Sequence, residues 1–292
     1  MLYSIQNPYL HVQICDIGAE LHSIRDRNGL ERLWQADPAV WDAHAPLLFP
    51  VIARLKNETY SLDGTPYRMP IHGFAGAKRF SVTEQRENSI TFTLESDADT
   101  RACYPFDFVL TVCFALDGPR LTKTCTVCNR SASVMPFELG GHDGLCTALH
   151  PGERMEDYYV EFPGSTVLHA RCSDENLMLL DQTREVPLDA ERLYLTPEVF
   201  ALDALILENL PASTVTLGSR KSAAKVTLSF TGFPYLGVWS RYAPRKGNYV
   251  CLEPWSALPD CAYLNTELAN KHGVRLLQPN VYDTLAYTLE FQ

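Results

Sequence analysis

The stretch FVLTVCFALDGPRLTKTCTV, Phe108–Val127, decides the fold. Phe108, Leu110, Val112, Phe114 and Leu116 occupy every second position, and Asp117-Gly118 follows. Leu121, Lys123, Cys125 and Val127 then take up the same spacing. Period-2 alternation interrupted by a turn dipeptide reads as a β-hairpin. Working outward, the spacing recurs at Leu10, Val12 and Ile14, at Ile90, Phe92 and Leu94, at Val226, Leu228 and Phe230, and from Leu285 to Phe291. Asn28-Gly29 and Asp63-Gly64 mark further turns. Helical spacing is scarce. Asp37–His44 is expected to form one short helix, with Asp37 as N-cap and Pro38 in the first turn. Strands without intervening helices imply an antiparallel, all-β architecture. No repeat, low-complexity tract or flexible linker divides the chain, so residues 1–292 are expected to form a single domain. The Pro- and Gly-punctuated stretch 140–200 is expected to lay long loops and short strands over one side of the sheet.

Composition narrows the function classes. The chain has 292 residues, 46% of them hydrophobic, enough for a large core. Its net charge of −10 opposes binding to a phosphate backbone, so nucleic acid is not expected as a partner. No apolar run approaches the roughly 18 residues of a membrane helix, and the N-terminus carries no signal-peptide pattern. A cytoplasmic protein is the expectation, with most of its nine cysteines reduced. Cys125 and Cys128 form a CxxC, but residues three apart in a strand point to opposite faces, and no second pair follows at zinc-finger spacing. A metal role for this pair is not expected.

Three segments carry polar residues among glycine, proline and aromatics: Ile71-His72-Gly73-Phe74-Ala75, Leu139-Gly140-Gly141-His142-Asp143-Gly144 and Val250-Cys251-Leu252-Glu253-Pro254-Trp255. The apolar neighbours of Glu253 predict a buried carboxyl with a raised pKa, suited to general-base work or else to a structural ion pair. Glycines beside His72 and His142 permit the close backbone approach typical of ligand loops, although each histidine alone also fits a purely structural role. Zinc held by His72, His142 and Glu253 lacks any HxH or HExxH spacing in its favour. Arg54 follows Phe49-Pro50-Val51-Ile52-Ala53, an apolar surround in which a guanidinium needs a carboxylate, carbonyls or a ligand's hydroxyls. Trp34, Trp41, Phe74, Trp239 and Trp255 are candidate faces for stacking on a sugar.

Together these segments resemble the aldose 1-epimerase (galactose mutarotase-like) family, and in particular its LacX-like branch. Ile17-Gly18-Ala19-Glu20-Leu21, Leu33-Trp34-Gln35, Ala45–Pro50, His72–Ala75, Tyr104-Pro105-Phe106, Gly140-Gly141-His142 and Cys251–Trp255 carry the resemblance over nearly the whole chain. It implies a β-supersandwich, mostly antiparallel with few short helices. It also implies an enzyme that interconverts the α and β anomers of a small-molecule sugar without a cofactor. By resemblance Glu253 is the general base, His142 the general acid, and His72 the residue beside the ring oxygen. Arg54 and Asp203, the latter in Phe200–Leu205, would contact hydroxyls, with Phe74 and Trp239 lining the substrate site. The implied reaction removes the proton of the C1 hydroxyl, protonates the ring oxygen, opens the C1–O5 bond, and recloses after rotation about C1–C2.

Two positions depart from the pattern. Gly76 stands where relatives of this branch carry arginine, which weakens the case for a hexose 6-phosphate; Arg54, Lys78 and Arg79 are the remaining nearby cations. Asp143 stands where proline is usual, and its carboxylate either favours the His142 imidazolium or faces elsewhere. The alternatives to a free-aldose epimerase are a hexose 6-phosphate 1-epimerase and a non-catalytic sugar-binding protein on the same fold. The sequence leaves the sugar and the oligomeric state open.

Overall fold

The computed structural model describes residues 1–241 and 247–292. Phe108–Asp117 and Arg120–Asn129 pair antiparallel as the alternation requires, with Asp117 opposite Arg120 across Gly118-Pro119. Their inward residues Leu110, Val112, Phe114, Leu121 and Val127 are buried. This hairpin lies within a nine-stranded sheet, flanked by Ser89–Glu95 on one side and by the C-terminal strand Tyr282–Phe291 on the other. Cys125 and Cys128 occupy opposite faces of their strand, and all nine cysteines are free.

A second sheet of eight strands faces the first. Its centre is Tyr235–Trp239 beside Tyr249–Trp255, continued by the short strands Gly140–Gly141 and Asp143–Cys146. Val238, Val250, Leu252 and Leu145 from this sheet join Leu110, Val112, Leu285 and Leu289 of the larger one in a single apolar core. Burying each large side chain there contributes roughly 1.5–3 kcal/mol. The outer face of the smaller sheet carries a separate cluster that includes Leu48, Ile52, Ile206 and Trp255. A three-stranded sheet of Leu2–Gln6, Leu10–Cys15 and Glu20–Asp26 completes the N-terminal part. The named strands pair antiparallel throughout, and among the described residues no helix is long and apolar enough to cross a membrane.

Two expectations need correction. Asp37–His44 is not a helix. Asp37 does start a turn, accepting Ala39 N–H through its side chain and Trp41 N–H through its carbonyl. The next amides are then drawn elsewhere: His44 N–H and Ala45 N–H both donate to Glu20 Oε1, at 2.9 Å each, instead of to carbonyls four residues back. The one α-helix among the described residues is Ala98–Cys103, closed by a capping box between Asp97 and Thr100. Residues 140–200 are also more regular than their prolines suggested. Val167–Ser173 and Leu179–Pro187 form an antiparallel hairpin that ends the smaller sheet.

Candidate active site

The strand Tyr249–Trp255 is buried along its whole length. Its alternate residues Val250 and Leu252 enter the core between the sheets, so Cys251, Glu253 and Trp255 face the opposite side. On the neighbouring strand Gly140 pairs with Trp255 and Asp143 with Leu252, a register that sets His142 opposite Glu253. Their side chains meet, with Nε2 of His142 3.4 Å from Oε2 of Glu253. Glu253 is 1% exposed and His142 7%. Glycines make the surround possible: a side chain on Gly237 would strike Trp255 at 2.7 Å, and one on Gly141 would strike the Tyr287 hydroxyl at 2.3 Å.

Aromatic rings frame His142 on several sides. Trp41 stacks on it at 5.0 Å between centroids, and Trp239 meets it edge-on at 5.5 Å. His72 stands at 5.4 Å and 87° to it. Trp41 also stacks on Tyr249, whose ring packs against Trp34. The Trp239 indole N–H donates to Asp203 Oδ1 at 2.7 Å.

The backbone of residues 49–54 holds His72 through a closed set of bonds. His72 N–H donates to Ala53 O at 2.9 Å, and Ala53 N–H donates to His72 Nδ1 at 3.1 Å. Because Nδ1 accepts, a neutral His72 carries its proton on Nε2 and is a donor there. His72 has φ 63° and Gly73 φ 76°. A Cβ on Gly73 would lie 2.2 Å from Phe49 O, so this position requires glycine. Ala53, before Arg54, also has a positive φ of 55°.

Burial governs the electrostatics. It pushes the Glu253 carboxyl well above the usual carboxylate range, reinforced by the nearby charge of Asp203. It pushes the His142 imidazole well down, with His72 adding to the effect. His72 is lowered to about 4 by burial and then by the Arg54 charge, so it is neutral near pH 7. Both members of the His142–Glu253 pair therefore lean to their uncharged forms, with the carboxyl holding the proton that a carboxylate–imidazolium pair would hold on the ring. Glu253 Oε2 and His142 Nδ1 are buried with no hydrogen-bond partner among the described residues. Such atoms are costly to leave unpaired, and they are available to a ligand's hydroxyls.

The sequence-derived residues divide as follows. His72, His142, Glu253, Trp239 and Asp203 are brought together. Arg54 acts on His72 electrostatically, but it is exposed rather than enclosed, and no ion pair with it is found among the described residues. Its apolar neighbours bury their own side chains and leave it on the rim of a cavity of about 520 Å³. Phe74 does not line the cleft: its ring is buried in the main core against Phe49, Tyr104 and Phe108. Trp255 is likewise buried, in the second cluster. Asp143 faces away from His142, into the core, where it accepts a 2.6 Å hydrogen bond from the Tyr287 hydroxyl. Lys78 is engaged by Asp97 and Asp99, and Arg79 by Asp16. Gly76 O packs under Gly18, whose Cβ would approach it to 2.6 Å.

A second cavity, of about 630 Å³, runs beside the first and includes Asp203 and Trp239, with Asp174 common to both walls. Neither His142 nor Glu253 lies in the walls of these two cavities; Trp239, which meets the His142 ring, lies in the second. Of the metal-ligating types, His142, Cys251 and Glu253 bring their atoms within 4.8 Å of one another, a different set from the one with His72. Burial holds the Cys251 thiol well above its usual pKa and hence protonated, which disfavours a metal there. Reading the sequence missed Tyr249 and Glu138. The signal that exposed Glu253, an acid in an apolar run, is also present in Phe137-Glu138-Leu139.

Two facing β-sheets with a His–Glu pair on the outer side of the smaller one define a galactose mutarotase-like β-supersandwich. A galactose mutarotase-related enzyme from Lactobacillus acidophilus superposes with a TM-score of 0.95 at 33% identity, covering 100% of this chain and 97% of that one. A galactose mutarotase-like protein from Lactobacillus casei does so with a TM-score of 0.92 at 29% identity, with both chains covered in full. In sequence the chain is 35% identical to the chromosomal protein LacX of Lactococcus lactis over 287 residues, 96% of this chain and 95% of that one. The model of the aldose 1-epimerase family matches residues 1–275, and the chain belongs to that family.

Proposed function

We propose that this protein is an aldose 1-epimerase that interconverts the anomers of a free aldohexose through Glu253 and His142. The observation that carries the reading is the buried pair itself, 3.4 Å apart, with Glu253 Oε2 making no hydrogen bond among the described residues. Ring opening takes a proton from the C1 hydroxyl and gives one to the ring oxygen. The pair as a whole holds one exchangeable proton, so it can accept at one oxygen and donate at the other. With that proton moved to His142, Glu253 is the base and His142 the acid. Reclosure reverses both transfers, and the proton count is restored after each turnover. The neutral Nε2–H of His72 is suited to donate to the ring oxygen, and Asp203 and Arg54 to bind hydroxyls. The flat faces of Trp41 and Trp239 suit the apolar side of a pyranose.

Polarimetry of freshly dissolved α-glucose and α-galactose tests this. The parent protein should speed relaxation above buffer, and Glu253→Gln should lose at least about 10²-fold while still binding sugar in calorimetry. If Glu253→Gln relaxes sugar as fast as the parent, the base assignment fails. If the parent binds sugar but adds no rate, the protein is a sugar binder on the same fold. A second reading, a phosphorylated aldose as substrate, draws support from Arg171, Arg184 and Arg241 in the wall of the 630 Å³ cavity beside Trp239. Glucose and glucose 6-phosphate compared in the same assays decide between the two.

A further inference from the structure

We infer that Glu20, His22 and His44 form a site for a divalent transition-metal ion of the zinc class, outside the sugar cleft. Glu20 and His22 are two residues apart on the strand Glu20–Asp26, where the ladder shifts register between Leu21 and Ser23, and their side chains approach each other. His44 reaches them from the irregular segment that follows Trp41. One ligating atom from each of the three lies within 4.8 Å of the others. Nε2 of His22 and Oε2 of Glu20 are 3.5 Å apart. That separation is long for a charge-assisted hydrogen bond. It matches two ligands that each sit about 2.0–2.2 Å from a tetrahedral ion and are therefore about 3.4 Å from each other.

The surroundings resemble a prepared ligand set more than a surface ion pair. Oε1 of Glu20 is occupied by His44 N–H and Ala45 N–H, which fixes the carboxylate and leaves Oε2 facing the rings. Outer-shell bonds of this kind orient metal ligands. The imidazoles of His22 and His44 lie stacked, 4.1 Å between centroids and 23° between planes, so one ring has to tilt for both lone pairs to meet a single ion. Neither ring has a hydrogen-bond partner on its nitrogens among the described residues, apart from the distant carboxylate. Two imidazoles and one carboxylate suit zinc, cobalt, nickel or copper rather than calcium or magnesium, which prefer oxygen. All three residues are half-buried, so a fourth position stays open to water. An ion here would fasten the strand to the segment that carries Trp41 onto His142, and His44 O already accepts Gly144 N–H at 2.9 Å. The inference does not depend on the sugar chemistry.

The test is a titration of the chelator-stripped protein with Co²⁺, followed by its visible d–d absorption, with Zn²⁺ displacement read by calorimetry. The parent should bind one Co²⁺ at this site. His44→Ala and His22→Gln, which leave the Glu20 bonds to the backbone intact, should each weaken binding at least about tenfold, since even outer-shell losses cost 10–100-fold. His142→Ala serves as the control, because His142, Cys251 and Glu253 are the other ligating group. It should bind Co²⁺ as the parent does. Circular dichroism checks that each variant is folded. The inference is overturned if the parent shows no cobalt spectrum, or if His142→Ala abolishes binding while His44→Ala and His22→Gln retain it.

Discussion

At the scale of single residues, Glu253 was the most legible part of the site. An acid between Leu252 and Pro254-Trp255 is hard to place on a surface, and the fold buries it. Asp203 was harder to read, because nothing in its sequence neighbourhood announces the Trp239 indole that it meets. That bond invites a direct test. Trp239→Phe keeps a ring against His142 but removes the donor to Asp203 Oδ1. The freed carboxylate would be less fixed, and sugar binding should weaken about 5- to 20-fold, from the loss of a charged hydrogen bond worth about 1.5–3 kcal/mol discounted for partial exposure. The expected result is a higher KM with kcat little changed, measured by polarimetry over a range of sugar concentrations. Phe74 was misread because a ring beside His72 and Gly73 looks the same in sequence whether it turns to the cleft or to the core.

At the scale of elements, the loop from Ile52 to Lys56 owes its shape to groups far away in sequence. Ile52 N–H donates to Glu138 Oε2 at 2.7 Å, and Lys56 N–H to Asp260 Oδ2 at 2.9 Å. Lys271 stands between the two carboxylates, 3.5 Å from Glu138 and 3.9 Å from Asp260. Arg54 and the bonds to His72 hang between these two anchors. The arrangement could not be read from the sequence, since its members are scattered from residue 52 to 271.

Burial, offset by Lys271, raises the Glu138 carboxyl to about 7 from 4.5. The folded chain therefore keeps a proton that the unfolded chain releases. This contribution is complete below pH 4.5 and is lost as pH rises through about 7, on the order of 3 kcal/mol in all. His72, lowered to about 4 from 6.5, works the other way: its contribution is present above pH 6.5 and is lost as pH falls toward 4. The two slopes oppose each other in mildly acid solution. Glu138→Gln keeps an oxygen for Ile52 N–H and removes one of them. Denaturant unfolding of that variant should show stability rising with pH between 4.5 and 6.5 more steeply than in the parent. An identical profile would mean that Glu138 does not titrate in this range.

At the scale of the whole molecule, alternation in the sequence was enough to foresee two faces of antiparallel sheet, because each strand needs only its own residues to declare a buried side. Which strands become neighbours was not legible. Tyr249–Trp255 finds Gly140–Gly141 through more than a hundred intervening residues. The two sheets are also joined by a polar link. The Tyr287 hydroxyl, on the larger sheet, donates to Asp143 on the smaller, and Lys123 lies over the Tyr287 ring at 5.8 Å. Tyr287→Phe leaves Asp143 buried without that donor and should lower unfolding free energy by about 1–3 kcal/mol. Asp143 faces away from His142, but its charge helps to raise the Glu253 carboxyl, so any pH dependence of anomer exchange should move only slightly. A large shift would show that the link also positions the His142–Glu253 pair.

The smaller sheet stops at Leu179–Pro187, and an outermost strand is an open template for another extended chain. Two copies meeting antiparallel about Thr183 would set Asp181 against Glu185, acid facing acid at both ends of the seam. Both side chains are exposed, and Pro187 offers no amide to extend the ladder. Added to a net charge of −10, this seam makes stacking of one molecule on the next unfavourable. The acids on this outermost strand thus work against edge-to-edge growth of the smaller sheet from one molecule to the next.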